Sequence, residues 1–322
     1  MTLESAVDLV VFIISVPSAW VYLVYLTTLF QNRNNRPFNN SFFKILFHIG
    51  IFDLLMMCER TVLNRFPKRG WLGTDKLVMK APFFFGKLHI LLFWYLIKPQ
   101  VLGTLLLTIN RYYTIVHDHN WTPKQINCFV ATVYLMPLPF NIPLWFQRFY
   151  FSSNQTDEGV LLYYENKTFQ FYYLSVCFIQ CAVLVAVGCY CYSKIFYTTW
   201  KRRNNVGPRV GQASQRRQDR AESNVLFIGI VLNVLTMECA AACGCMAYGT
   251  DPDSLKAAAP WFDIGTELYT WINPYCLLMT SGQFRQRFLE TIRCKKRSPV
   301  TRTTNHTARV NRNNKLYKVS EL

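Results

Sequence analysis

Seven stretches of this chain are apolar for long enough to cross a bilayer as helices, and that pattern limits the possible folds more than any other feature. A hydrocarbon core of ~30 Å takes about 20 residues of helix to span, because in lipid only a helix or a closed barrel satisfies every backbone N–H and C=O internally. The stretches are Val7–Phe30, Phe42–Met57, Pro82–Ile109, Ile126–Phe146, Phe169–Phe196, Val225–Tyr248 and Trp261–Met279. The second and seventh are the shortest, and Lys87, His89 and Lys98 interrupt the third. The sequence therefore predicts an all-α membrane protein, with a seven-helix domain over residues 1–282.

Composition agrees with a bilayer as solvent. Charged residues make up 16% of the chain, against about 25% in soluble proteins. The net charge of +17 does not point to nucleic acid, because the basic residues lie between and after the apolar runs rather than on amphipathic helices. Among eleven cysteines, Cys177, Cys181, Cys189, Cys191, Cys239, Cys243 and Cys245 fall inside apolar segments, where cysteine packs as a small hydrophobe. The start of the chain does not read as a cleavable signal. Glu4 and Asp8 stand where a basic region is needed, and the first apolar run is too long.

Orientation is read from Lys and Arg, which are enriched in cytoplasmic connections. With the amino terminus outside, the inner connections carry 22 and the outer ones 9. The basic loop Arg60 to Lys80 runs against this rule. Asn154-Gln-Thr and Asn166-Lys-Thr, candidate glycosylation sites, fall in the second outer connection, although similar triplets at Asn39, Asn120 and Asn305 fall on the inner side. After the seventh span, Phe284, Phe288 and Ile292 recur at four-residue spacing among Arg285, Arg287 and Arg293. Residues 283–297 are thus expected to form an amphipathic interfacial helix with its apolar face in the acyl boundary. Cys294 at its end is either a lipidation candidate or an unmodified thiol. Residues 298–322 are polar and basic, with too little apolar surface to fold.

Several residues carry a family resemblance. Asn110-Arg111-Tyr112 closes the third span and resembles the Asp/Glu-Arg-Tyr signature of rhodopsin-like, G protein-coupled receptors; Asn273-Pro274 resembles their Asn-Pro-x-x-Tyr, and Asp53 their second-helix aspartate. The closer likeness is to nematode chemoreceptors of the serpentine receptor class gamma superfamily, of Srg or Srv type. It is carried by Asn39-Asn40-Ser41-Phe42-Phe43-Lys44, Leu107-Thr108-Ile109-Asn110-Arg111-Tyr112, Trp121 and the prolines Pro137, Pro139 and Pro143 of the fourth span. The departures are an uncharged Asn110, Cys276 and Leu277 after Asn273-Pro274 with no tyrosine at the usual place, and no cysteine at the start of the third span or in the second outer connection. The resemblance implies a G protein-coupled chemosensory receptor in the plasma membrane, a sensory cilium being one such location, whose partners are a small-molecule ligand, a heterotrimeric G protein and the bilayer, with no cofactor, metal or nucleic acid.

The residues suggest roles within that frame. Arg111 is a topology anchor or, with Asn110 and Tyr112, the G protein switch. Lys98 lies thirteen residues earlier, roughly 20 Å along a helix; Glu238, fifteen residues after Ser223, lies at a depth of roughly 22 Å. These two are expected to flank a ligand cavity, as an ion pair or as separate contacts; the alternative is a purely structural pair or snorkelling. Asp53 and Asn273 form a candidate polar cluster, and Pro274 frees a backbone acceptor that permits a hinge. Plain packing also accepts such a proline. A seven-helix channel or transporter is the alternative function, although no repeated halves are visible. An intramembrane hydrolase is disfavoured, because the histidines assemble no catalytic set.

Overall fold

A computed structural model describes residues 3–35, 38–119, 121–153, 160–205, 212–248 and 252–293. Among these residues seven long helices follow one another: α1 (Leu3–Asn32), α2 (Ser41–Lys68), α3 (Pro82–Val116), α4 (Pro123–Trp145), α5 (Lys167–Asn205), α6 (Gln212–Tyr248) and α7 (Pro252–Thr280), followed by α8 (Gly282–Ile292). The first five are long and apolar enough to cross a membrane, and α6 contributes the shorter apolar stretch Gly229–Cys245. Contacts run from α1 through α2 and α3, then α5, α6 and α7, and back to α1; α3 touches α2, α4, α5 and α6. Large apolar side chains such as Ile13, Trp20, Val176 and Val234 point outward from this ring, the arrangement expected where lipid is the solvent.

Local signals set the helix ends. Asn40 Oδ1 accepts from the Phe43 N–H at 3.1 Å, capping an orphan donor of α2. Pro82 opens α3 in the first turn, where its missing N–H costs nothing. Thr122 and Gln125 form a reciprocal capping box at α4, and Asn166 Oδ1 accepts from the Phe169 N–H at 2.9 Å to start α5. α4 is interrupted at Met136, just before Pro137; Pro137 and Pro139, on either side of Leu138, each remove a backbone donor there.

Two expectations are corrected. The basic segment after Met57 is not a loop from Arg60 onward: the helix continues through a π-helical turn, Arg60–Arg65, to Lys68. Charged side chains stay helical there because acids from other helices meet them. The apolar face of α8 is not given to acyl chains either. Phe284 is fully buried and Phe288 nearly so, with Phe284 edge-on to Tyr25 of α1 at 5.6 Å and tilted against Phe38 at 6.4 Å. Only Ile292 of the three apolar residues is exposed.

Between α4 and α5, β1 (Phe149–Ser153) and β2 (Val160–Tyr164) form an antiparallel hairpin pairing Phe149 with Tyr164 and Phe151 with Leu162. It lies across the start of α3 at Gly86, where a Cβ would stand 2.9 Å from Tyr150 Cα. Among the α2–α3 contacts, a Cβ on Gly103 would stand 2.6 Å from Ile49 Cγ1.

Candidate functional site

A cavity of about 320 Å³ lies among α3, α4, α5, α6 and α7. Its wall is almost wholly apolar, with Trp94, Val101, Phe140, Leu184 and Phe262 among the lining residues, and four thiols face it, Cys177 and Cys181 from α5 and Cys239 and Cys243 from α6. The four-residue spacing in each pair places both thiols on one helix face. The break in α4 supplies Met136, Pro137 and Phe140 to the lining. Trp94 Nε1 reaches Tyr164 Oη of the hairpin at 3.4 Å, and burial pushes that phenol's pKa up, so it stays neutral and accepts.

Lys98 projects into this cavity. Its ammonium donates to Tyr173 Oη at 3.0 Å and, at 3.5 Å, to Asn141 Oδ1. The rings of Phe140 and Tyr173 each lie 5.1 Å from Nζ, within cation–π range. The expected ion pair with Glu238 is not formed. Glu238 turns to α7, where its Oε2 occupies the space beside Gly265 that a Cβ would need, 1.4 Å away, and it accepts from the Cys239 thiol at 3.7 Å. Glycine at 265 leaves the room that the carboxylate occupies.

Two cavity residues lead out of it through hydrogen bonds. Gln100 Nε2 donates to Asp53 Oδ1 at 2.8 Å, and Asn273 Nδ2 donates to Asp53 Oδ2 at 2.9 Å. Tyr22 completes the group, its single proton lying between Asp53 Oδ2 at 2.7 Å and the Thr270 carbonyl at 2.5 Å. Asp53 is thus held by donors from α1, α3 and α7, with no water-facing surface. Asp53 and Asn273 were legible as polar residues in apolar spans. Gln100 and Tyr22 join them only in the fold, although a glutamine inside a span carries the same signal. Pro274 lies inside α7 directly after this junction, and Tyr275 Oη is 2.9 Å from Ser18 Oγ of α1.

Thr266, the second such residue, accepts from Arg60 Nη1 at 2.8 Å. Arg60 also donates to Glu267 at 2.9 Å and Asp263 at 2.6 Å, while Arg65 reaches Glu267 at 2.6 Å. Arg69 pairs with Asp8 of α1 at 2.5 Å, and Lys68 with Asp8 at 3.5 Å. Glu59 is bonded to His89 Nδ1. The anomalous basic segment is therefore a tie between α2, α1 and α7.

At the other end of α3, Asn110 is buried and accepts from the Ser41 hydroxyl at 3.1 Å, and the Arg111 guanidinium lies 3.7 Å over the ring of Phe42. Both contacts hold α3 to the start of α2. Tyr112 meets His117 Nε2 at 3.3 Å. Tyr192, another residue not singled out from sequence, is 2.7 Å from Thr108 Oγ1 and sits where a Cβ on Gly229 would be, joining α3, α5 and α6. Asn166 is exposed beside the hairpin; Asn154, Cys294 and the tail lie outside the described residues. Among the described residues no group of three His, Cys, Asp or Glu is placed to hold a metal ion.

Comparison with known proteins gives this arrangement a family. A curated protein of Caenorhabditis elegans, "Serpentine receptor class V-1", is 25% identical over 185 residues, 55% of this chain and 58% of that protein. The match spans less than two thirds of that relative's length. The family model described as "Serpentine type 7TM GPCR chemoreceptor Srv" matches residues 11–294. Both matches carry the class V description rather than class gamma. The seven-helix bundle with its short amphipathic helix, matched over nearly its whole length, belongs to the Srv family of serpentine seven-transmembrane chemoreceptors.

Proposed function

We propose that this multi-pass membrane protein is a chemosensory receptor of the plasma membrane that binds an external small molecule in the cavity around Lys98 and signals to a heterotrimeric G protein at the Arg111 end. The observation that carries this reading is the hydrogen-bonded path from the cavity wall at Gln100 through Asp53 to Asn273. A ligand that displaces Gln100 changes what Asp53 can bind, and so biases α7 beside Pro274. A ligand shifts an equilibrium only through such differential contacts.

The excess of Lys and Arg supports an external amino terminus. Arg60, Arg65, Lys68 and Arg69 count against it, and the total still favours this orientation; in the fold, acids on α1 and α7 engage each of the four. At the inner end, Arg111 rests on Phe42 of α2. Released, its fork of donors would meet carbonyls or carboxylates of a partner helix.

The test is G protein activation in cells expressing the surface-tagged chain, wild type against Arg111→Ala, under a screen of water-soluble and volatile compounds. A ligand-dependent signal in wild type that disappears in Arg111→Ala at equal surface level is expected. A compound-gated current with no nucleotide exchange on any G protein would replace the receptor reading with a channel.

A further inference from the structure

The cationic side chains of the α1–α2–α7 tie have acidic partners: Arg60 faces Asp263 and Glu267, Arg65 faces Glu267, and Lys68 and Arg69 face Asp8. Lys98 differs. It sits midway along α3, in an apolar cavity, and among the described residues no carboxylate pairs with it. Glu238, at a comparable depth, is committed to the space beside Gly265. An ammonium has three donors. Tyr173 Oη and Asn141 Oδ1 take two, the second over 3.5 Å, which leaves one for the cavity. Asn141 is oriented by its own donation to the Leu91 carbonyl at 3.3 Å, so its oxygen faces the lysine. A fixed cation is thus held in an apolar cavity by neutral groups alone, an arrangement that is costly until a counter-charge arrives.

We infer that the ligand supplies that charge: the cavity takes a small apolar acid, whose carboxylate meets Lys98 Nζ and Tyr173 Oη and whose hydrocarbon part lies against Val101, Leu184 and Phe262. This inference rests on the cavity being the ligand site, as proposed above. One ammonium balances one carboxylate. A phosphate monoester carries about −1.5 to −2 at pH 7 and would leave charge unpaired; an amine would be repelled, and an alcohol would leave Lys98 uncompensated. The volume of about 320 Å³ lies at the small end of ligand pockets, which run from about 300 to 1,000 Å³. The acid can arrive from water or from the bilayer, and the chemistry at Lys98 is the same.

The experiment uses the full chain in lipid nanodiscs without G protein, reading the unfolding temperature with octanoate, 3-phenylpropanoate, octan-1-ol, octylamine, octyl phosphate and hexadecanoate as probes. Saturable stabilisation by at least one carboxylate, and not by the alcohol, amine or phosphate, is expected. Lys98→Met should weaken that carboxylate by about tenfold or more, the loss of one charge-assisted hydrogen bond, while Lys98→Arg keeps most of it. Stabilisation by octanoate or 3-phenylpropanoate would identify a dissolved acid as the source, and by hexadecanoate alone a bilayer acid. Octanol matching octanoate in the wild type, no carboxylate stabilising it, or Lys98→Met binding acids as the wild type does would each overturn the inference. Acid binding without G protein activation would leave the inference standing and remove the coupling. A G protein response to an uncharged ligand that survives Lys98→Met would do the reverse.

Discussion

Asp53 shows how much one side chain determines. Its two oxygens accept from Tyr22, Gln100 and Asn273, all donors, at 2.7, 2.8 and 2.9 Å. Asp53→Asn keeps the volume but replaces one oxygen by an amide that meets another donor head-on, whichever way it is turned. The expected loss is about 1–3 kcal/mol, the cost of a buried polar group left unsatisfied, seen as a lower unfolding temperature in purified protein. Equal stability of Asp53→Asn would mean that the three donors do not converge on this carboxylate. At Gly86 the constraint is shape. Gly86→Val would drive a branched side chain into the backbone at Phe149 and Tyr150, and overpacking of this kind typically costs about 1–3 kcal/mol. Reduced surface expression with the hairpin displaced is expected, measurable as faster proteolysis within residues 149–164. Sequence made Asp53, Asn273 and Lys98 conspicuous, because polar groups in apolar spans demand partners. It could not choose the partners, since Lys98 and Glu238 at matched depth looked like a pair, and only the packing of Glu238 into the space beside Gly265 separates them.

At the scale of elements, most spans were legible from length and hydropathy, and α8 from its four-residue apolar spacing. The end of α2 was not. Arg60, Arg65, Lys68 and Arg69 look like a solvated loop until Asp8, Asp263 and Glu267, remote in sequence, are brought to them. Removing one partner of a buried ion pair typically costs about 3–5 kcal/mol, so Arg60→Ala should destabilise the protein far more than Lys76→Ala at an exposed position. Comparable melting temperatures for the two variants would show the tie to be ornamental. The direction of the α8 face was likewise unreadable, because lipid and protein are equally apolar hosts for phenylalanine. With Phe284 fully buried against Tyr25 and Phe38, Phe284→Ala should cost about 3–5 kcal/mol, whereas Ile292→Ala, at an exposed position, should be nearly neutral. Equal effects would return the helix to the lipid surface.

For the whole molecule, the ring of helices places a thiol- and aromatic-lined cavity beside a central α3 that also carries Asn110 and Arg111 at its far end. The hydrogen bonds from Gln100 through Asp53 to Asn273 carry a contact from the cavity wall to α7 beside Pro274, and they do not depend on α3 moving as a rod. Asn273 is not part of the cavity lining, so it separates binding from signalling. The most direct measurement is ligand affinity and ligand-dependent G protein activation in the same cells for wild type and Asn273→Ala at equal surface expression. Affinity within about threefold of wild type, a difference of roughly 0.7 kcal/mol, together with lost activation, is the predicted result. Activation undiminished in Asn273→Ala would contradict the account, because the cavity would then be speaking to the G protein by a route that bypasses Asp53.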